Sequence, residues 1–95
     1  MLHYIIVKWN KDVDKRSAAQ QVRSLYAAAK EICGIHSVEI KENVTPRDNR
    51  YDIMIALDME NDALTTWDNS QLHKKWKADF GSLIEKKCIF DCDSQ

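Results

Sequence analysis

Three histidines are the side chains of this 95-residue chain best suited to move protons near neutral pH: His3, His36 and His73. If His3 faces the helices and His73 turns inward, their imidazoles converge at the start of the first predicted strand. Two imidazoles there could act as general base and orienting group on a carbonyl substrate. The alternative is that both only find hydrogen-bond partners and close one end of the core. His36 is predicted to be a surface residue at the rim.

Metal and cofactor chemistry is not predicted. A metal site needs three or four converging ligands, and only His3 and His73, with an acidic residue, could be brought together. The sequence contains no glycine-rich phosphate loop, no nucleophile elbow and no Cys–His pair of recognisable spacing. We therefore expect neither a metal nor a cofactor.

The cysteines, Cys33, Cys88 and Cys92, are odd in number and fit no paired metal-binding spacing. Cys88 and Cys92 lie four residues apart on one predicted strand, about 13 Å at about 3.3 Å per residue. That distance is too long for a disulfide. The prediction is three reduced, buried thiols.

The first strand, Leu2–Trp9, must position His3, and it is apolar on both of its faces. Side chains of a strand point alternately to opposite sides of the sheet, so both sides of this strand need a cover. A chain of 95 residues is too short to supply two covering layers. We therefore predict that helices cover one side and that a second protein molecule covers the other.

A first helix is predicted over residues 15–33, where one apolar stripe recurs at spacings of four and three: Ala18, Val22, Leu25, Ala29 and Ile32. Asp14 is its expected N-cap, and Gly34 is expected to end it in the left-handed conformation. Tyr26 borders the stripe, so its ring can pack while its hydroxyl seeks a polar partner.

A second helical region begins near Asn61. It is predicted as a short helix, a bend at residues 68–70, and another helix capped by Ser70 or Asn69. Gly81 should loosen the last turn of the second of these helices. This helix should bury four apolar residues: Leu72, Trp76, Phe80 and Leu83.

Three further strands are predicted from alternation: Ile35–Glu42, Tyr51–Met59 and Lys86–Cys92. One polar face on the first of these is typical of a strand near a sheet edge. Residues 43–50 are rich in turn formers and should form an exposed loop.

The resulting order, β-α-β-β-α-β, predicts a single α+β domain with the ferredoxin-like, split βαβ fold. The sheet is antiparallel and four-stranded, with the helices on one face. That face should carry His3, Ile5, Val7, Val38, Ile53, Ile55, Leu57 and Ile89. The opposite face should carry Tyr4, Ile6, Met54, Ala56, Cys88, Phe90 and Cys92. An apolar face of that size marks an interface, so we predict a symmetric homodimer with the two sheets face to face.

Composition excludes several function classes. Fourteen Lys and Arg against fifteen Asp and Glu give a net charge of −1, with no basic stripe for nucleic acid. The basic run Lys74, Lys75 and Lys77 is predicted to be a solvated helix face. No apolar run reaches membrane-spanning length and no secretory signal is visible, so we expect a cytoplasmic protein without a membrane contact.

Five segments resemble, in order and spacing, landmarks of the stress-responsive dimeric α/β-barrel (Dabb) family. His3–Trp9 resembles the family's H-x-V-x-x-K-F start, and Gly34–Glu39 resembles its P-G-V-x-S-V-E second strand. Asn43–Val44 and Tyr51–Ile53 match its next two landmarks. Trp67–His73 occupies the place of an aromatic residue followed by H-P-x-H. The resemblance spans residues 1–91 and implies the same dimeric fold.

The family includes small stress-linked proteins of unknown biochemistry and a few cofactor-free enzymes, among them polyketide cyclases. In those cyclases a helix-borne histidine, which matches His73, acts as the base, with an aromatic hydroxyl one or two turns earlier. Here Trp67 stands at the place of that hydroxyl, and Ile53 at the place of a further histidine on the third strand. Cys33 and Ser70–Gln71 also replace the usual Pro and His-Pro.

Two functions follow as hypotheses. In the first, the chain is a dimeric stress-linked module that binds a small hydrophobic or aromatic molecule, or a partner, and catalyses nothing. In the second, it is a cofactor-free lyase, cyclase or isomerase with His73 as base and His3 to orient the substrate. A pocket between sheet and helices with both imidazoles facing it would favour the second function, and a sealed interior would favour the first. The predicted lining residues of this pocket are Ile5, Val7, Val22, Leu25, Tyr26, Val38, Ile53, Ile55, Trp67, Trp76 and Ile89.

Overall fold

Four antiparallel strands form one sheet in the computed structural model, which describes residues 1–95. The strands are β1 (Leu2–Trp9), β2 (Ile35–Glu42), β3 (Ile53–Met59) and β4 (Ile84–Cys92), in the spatial order β2-β3-β1-β4. The helices are α1 (Lys15–Tyr26), α2 (Leu64–Asp68) and α3 (Gln71–Phe80), with 3₁₀ turns at Ala29–Glu31 and Gly81–Leu83. The predicted ferredoxin-like α+β fold is confirmed. None of the helices has the length and apolar character that crossing a bilayer requires.

β1 lies inside the sheet, between β3 and β4, as its two apolar faces predict. Ile5 stands opposite Ile55 on one side and Ile89 on the other. Every second residue of β1, from His3 to Trp9, is buried under the helices, and the residues between them are half-buried. β2 is an edge strand with mostly exposed side chains, as its polar face indicates.

α1 begins where the sequence predicts and ends earlier. The Asp14 carboxylate accepts a hydrogen bond from the Ser17 backbone N–H at 3.1 Å, which confirms the N-cap. The predicted end at Cys33 is wrong, because the α-helix stops at Tyr26 and a 3₁₀ turn follows. The tighter winding of that turn brings Ala29 into the core, where it is fully buried.

Gly34 has a φ of +89° as predicted, but it follows the 3₁₀ turn rather than the α-helix. A Cβ at this position would lie 2.7 Å from the Cβ of Ala63. Both the left-handed backbone and this contact penalise a side chain.

We expect Gly34→Ala to lower the free energy of unfolding by about 2 kcal/mol, measured by urea denaturation. Gly81 is the matched control, because it has a helical φ of −54° and no atom within 4 Å of an added Cβ. Gly81→Ala should leave stability unchanged or raise it by less than about 1 kcal/mol. Equal losses in the two variants would contradict this account of Gly34.

Two strand boundaries differ from prediction. β3 begins at Ile53 rather than Tyr51, because the backbone of Asp52 bonds outside the regular ladder. Its N–H donates to the Val7 carbonyl at 2.8 Å, and its carbonyl accepts from the Asn43 N–H at 2.9 Å. β4 begins at Ile84 rather than Lys86, since an irregularity in the ladder lets Ile84 pair with Trp9.

The second helical region is confirmed, with the bend between α2 and α3. The Ser70 hydroxyl caps α3 by accepting from the His73 backbone N–H at 3.1 Å. Trp76 and Phe80 are buried as predicted. Leu72 and Leu83 are only half-buried, and Leu83 belongs to the 3₁₀ turn.

Two predictions of burial are wrong. Ile89 is 46% exposed, because β4 is an edge strand that the helices do not cover. The three cysteines are free thiols, but Cys33 and Cys88 are exposed and Cys92 is half-buried. Cys88 and Cys92 lie on the side of the sheet that carries no helix, so no helix buries them.

Candidate functional site

Three aromatic rings from the three α-helices meet in the layer between helices and sheet. They are Tyr26 of α1, Trp67 of α2 and Trp76 of α3, and all are buried. The ring of Tyr26 lies 5.8 Å from that of Trp67 and 5.6 Å, edge-on, from that of Trp76. We call these three residues the aromatic cluster. It forms the centre of the space that the sequence assigns to a pocket.

Two polar atoms of the aromatic cluster have no hydrogen-bond partner in the protein: the Tyr26 hydroxyl and the Trp67 indole Nε1. The predicted partner for the Tyr26 hydroxyl is therefore not found, because the whole residue is inside the core with 0% exposure. Burying such a group without a partner costs roughly 1–3 kcal/mol. Burial also raises the pKa of Tyr26 far above its usual value, so its hydroxyl stays protonated and able to donate.

His73 lies beside the aromatic cluster at the start of α3, with its ring 5.1 Å from that of Trp67. Its Nδ1 is 3.0 Å from the Asp68 carbonyl oxygen. A carbonyl oxygen only accepts, so Nδ1 must carry the hydrogen. In the neutral ring Nε2 then holds the lone pair, and this is the tautomer of a general base.

His3 is 6% exposed and pairs with Asp91, which stands directly opposite it on β4. The His3 Nδ1 and the Asp91 Oδ1 are 2.5 Å apart. An ionised carboxylate only accepts, so this contact also places a hydrogen on Nδ1, and in the neutral ring the lone pair is on Nε2. The sequence analysis missed Asp91, although its position on the His3 side of β4 was a usable signal once the register was known.

His3 and His73 thus have separate partners, and no hydrogen bond joins them. The third histidine, His36, is exposed and pairs with Glu60 on the surface, in keeping with its predicted place at the rim.

Most of the other predicted lining residues pack in the core around the aromatic cluster. Five of them are buried: Ile5, Val7, Val22, Ile53 and Ile55. Leu25 and Val38 are half-buried. The five principal cavities open at the surface, and of the predicted lining residues they include only Leu25 and Ile53. No three His, Cys, Asp or Glu side chains are grouped closely enough to hold a metal ion.

The side of the sheet without helices is apolar along its two inner strands and β4. On β1, Tyr4 lies between Ala56 and Phe90, and Ile6 lies between Met54 and Cys88. Phe90 is 57% exposed, and its ring is 6.5 Å from that of Tyr4. We call this surface the open face; its residues are Tyr4, Ile6, Met54, Ala56, Cys88, Phe90 and Cys92.

Known proteins resemble this chain in sequence family and in fold. The model of the stress responsive A/B barrel domain (Dabb) family matches residues 1–94. A dimeric protein of unknown function and ferredoxin-like fold from Bacteroides fragilis is similar in structure, with a TM-score of 0.82 and 18% identity over 97% of this chain and 93% of that one. No curated protein sequence matches.

Two further solved structures are similar. A Dabb family protein with a ferredoxin-like fold from Mesorhizobium loti has a TM-score of 0.65 and 16% identity, over 99% of this chain and 95% of that one. The hydroxynitrile lyase from Passiflora edulis has a TM-score of 0.76 and 10% identity, over 99% of this chain and 94% of that one. At sequence identities of 10% to 18%, the similarity to these three structures shows a shared fold alone.

Proposed function

The chain belongs to the stress responsive A/B barrel domain (Dabb) family, and from that premise we propose that it is a homodimer that binds a small hydrophobic or aromatic molecule at the aromatic cluster. The observation that carries the binding proposal is the pair of unpartnered polar atoms, the Tyr26 hydroxyl and the Trp67 Nε1. Buried polar groups in proteins nearly always have a partner. A guest molecule that brings an oxygen to these two groups would supply it.

The chemistry of the cluster defines the guest. Its walls are aromatic rings, which suit a flat apolar body. The Trp67 N–H can only donate, and the Tyr26 hydroxyl can donate as well, so the guest needs an accepting oxygen. A ketone, an aldehyde or a phenol on an aromatic ring has these features.

Entry requires the cluster to open, and α2 is the element best suited to move. This helix has five residues, and Ala63 at its N-cap makes no side-chain cap. A short element without a side-chain cap opens locally more easily than a long capped one, although opening α2 must also expose the buried Trp67 ring. Displacement of α2 would carry Trp67 outward and uncover the Tyr26 hydroxyl.

Tyr26→Phe tests the binding site, and its two expected effects have opposite signs. Without a guest, the variant should be about 1 kcal/mol more stable by urea denaturation, because it removes a buried hydroxyl that lacks a partner. Its affinity for 4-hydroxyacetophenone, measured by calorimetric titration, should fall about tenfold, because a hydrogen bond to the guest is lost.

Tyr51→Phe is the matched control, since Tyr51 is half-buried and lies outside the cluster. It should change neither quantity appreciably. A Tyr26→Phe protein that is less stable than the parent, with the same affinity for the probe, would contradict the proposal.

The open face supports the homodimer. Phe90 and Cys88 are exposed there and Tyr4, Ile6, Met54 are half-buried, so one chain alone leaves an apolar sheet face in water. Two such faces packed by a two-fold axis would cover each other. The similar Bacteroides fragilis protein is described as dimeric. Apolar burial contributes roughly 25 cal/mol per Å², so covering this face would favour association.

A second candidate function is a cofactor-free lyase, cyclase or isomerase. The specific observation in its favour is the tautomer of both histidines, since His73 and His3 each have Nδ1 against an acceptor and so leave Nε2 as a base. An acceptor that orients a histidine base is a recurrent catalytic arrangement. The similar protein from Passiflora edulis is a hydroxynitrile lyase. In this hypothesis His73 removes a proton from the substrate and His3 orients the substrate. Tyr26 and Trp67 hold the substrate oxygen by hydrogen bonds.

A further inference from the structure

A second concave region lies at the far end of β1 from His3. Lys8 is five residues along the strand from His3, about 17 Å at about 3.3 Å per residue. A surface cavity of about 520 Å³ opens there, and five cationic side chains line it: Lys8, Lys11, Lys15, Arg47 and Arg50. They come from β1, from the turn after it, from the first residue of α1, and from the loop between β2 and β3. We call this region the cationic cleft.

The carboxylates of the cationic cleft leave most of these cations unpaired. The Asp52 carboxylate, with a side chain that is only 9% exposed, already has two partners. It accepts from the Trp9 backbone N–H at 2.8 Å and pairs with Lys15 at 3.0 Å. Lys8 donates to the backbone carbonyl oxygen of Asp48 at 2.6 Å, so it has no carboxylate partner.

Lys11, Arg47 and Arg50 also form no ion pair. Asp48 and Glu85 are the only other acidic lining residues. Once Lys15 and Asp52 cancel, four cations face two carboxylates. The cleft therefore has an excess of two positive charges in a chain whose net charge is −1.

The loop that carries the two arginines is hydrogen-bonded to the body of the protein at two points. The Lys8 bond holds its middle at Asp48, and Asn43 at its start donates its backbone N–H to the Asp52 carbonyl at 2.9 Å. A smaller cavity of about 270 Å³ adjoins the cleft and shares Trp9 and Pro46 with it. The cleft is thus a concave site lined mainly by charged and polar side chains, with Trp9 as its aromatic residue.

We propose that the cationic cleft binds a small molecule that carries a phosphate or carboxylate group, with Arg47 and Lys11 as its main contacts. A guanidinium presents a planar fork that binds two oxygens of such a group, and an ammonium adds a point charge. An anion also relieves the repulsion among like charges in the cleft. This site is separate from the aromatic cluster and does not depend on the function proposed there.

Calorimetric titration of the whole chain with inorganic pyrophosphate and, separately, with citrate at low ionic strength tests the proposal. We expect saturable binding of at least one anion with one site per chain, and the tighter of the two identifies phosphate or carboxylate as the recognised group. The variant Arg47→Gln with Lys11→Gln should bind that anion at least tenfold more weakly.

The control removes the same charge elsewhere. Lys74→Gln with Lys77→Gln, on the exposed side of α3, should change the affinity by less than twofold, since neither lysine forms an ion pair or lines the cleft. The proposal is overturned if neither anion saturates, or if the two double variants lose equal affinity, because then only the net charge matters.

Discussion

Phe90→Asp is expected to raise the dissociation constant of the homodimer about 100-fold or more. Phe90 is 57% exposed in the single chain and lies beside Tyr4 on the open face. Removing one well-packed aromatic side chain from an interface costs about 2–4 kcal/mol, and each 1.4 kcal/mol is tenfold in affinity. Symmetry places the substitution in the interface twice, and each copy buries a carboxylate among apolar groups.

Sedimentation velocity over a range of concentrations measures this change. Val44→Asp is the matched control: Val44 is 91% exposed in the loop between β2 and β3, outside the open face. It should leave the dimer intact although it adds the same charge. Circular dichroism should show the same helix and strand content in both variants. A Phe90→Asp protein that stays dimeric at all concentrations would remove the open face from the interface.

The second large effect concerns turnover. If the chain is a lyase, cyclase or isomerase, His73→Ala should lower kcat about 10²- to 10⁴-fold, the usual contribution of a general base. The reason is that Nε2 of His73 holds the lone pair while Nδ1 is fixed on the Asp68 carbonyl oxygen. Affinity for the substrate should fall much less, because Tyr26 and Trp67 would still hold its oxygen.

The matched control for this test is His36→Ala. His36 is exposed and pairs with Glu60 on the surface, so its loss should leave kcat within about twofold. The substrates to test are aromatic aldehydes and ketones, which have the flat ring and the accepting oxygen that the aromatic cluster requires. Turnover that survives His73→Ala would exclude His73 as the base. Binding at the aromatic cluster without any turnover would favour the first function over the second.

Most of the fold was predicted from the alternation of apolar and polar residues along the strands. All four strands were predicted, because the alternation of side chains along a strand follows from backbone geometry, and β1 and β2 have the predicted bounds. The starts of β3 and β4 differ because they depend on contacts across the chain, at Asp52 and at Trp9.

The end of α1 could not be predicted in the same way. The stripe continues through Ala29 and Ile32 with no helix breaker before Gly34, and the stop at Tyr26 depends on how Ala29 and Gly34 pack against the rest of the chain.

The candidate site was also only partly predictable, because the contacts of its residues depend on how distant parts of the chain pack together. Residue type and chain position single out His3 and His73, since histidine is rare here and titrates near neutral pH. Their partners depend on pairing across the chain: Asp91 meets His3 only through the register of β1 with β4. The buried hydroxyl of Tyr26 is likewise a product of packing, because the stripe places this residue at its border while Trp67 and Trp76 enclose it from other helices.

A second copy of the chain is proposed to cover the open face, and sedimentation equilibrium of the unaltered chain tests this most directly. We predict a mass of twice 11.1 kDa, about 22 kDa, at micromolar concentration. A single species of 11.1 kDa that stays in solution at that concentration would contradict it, because the apolar residues around Phe90 would then be stable in water without a partner.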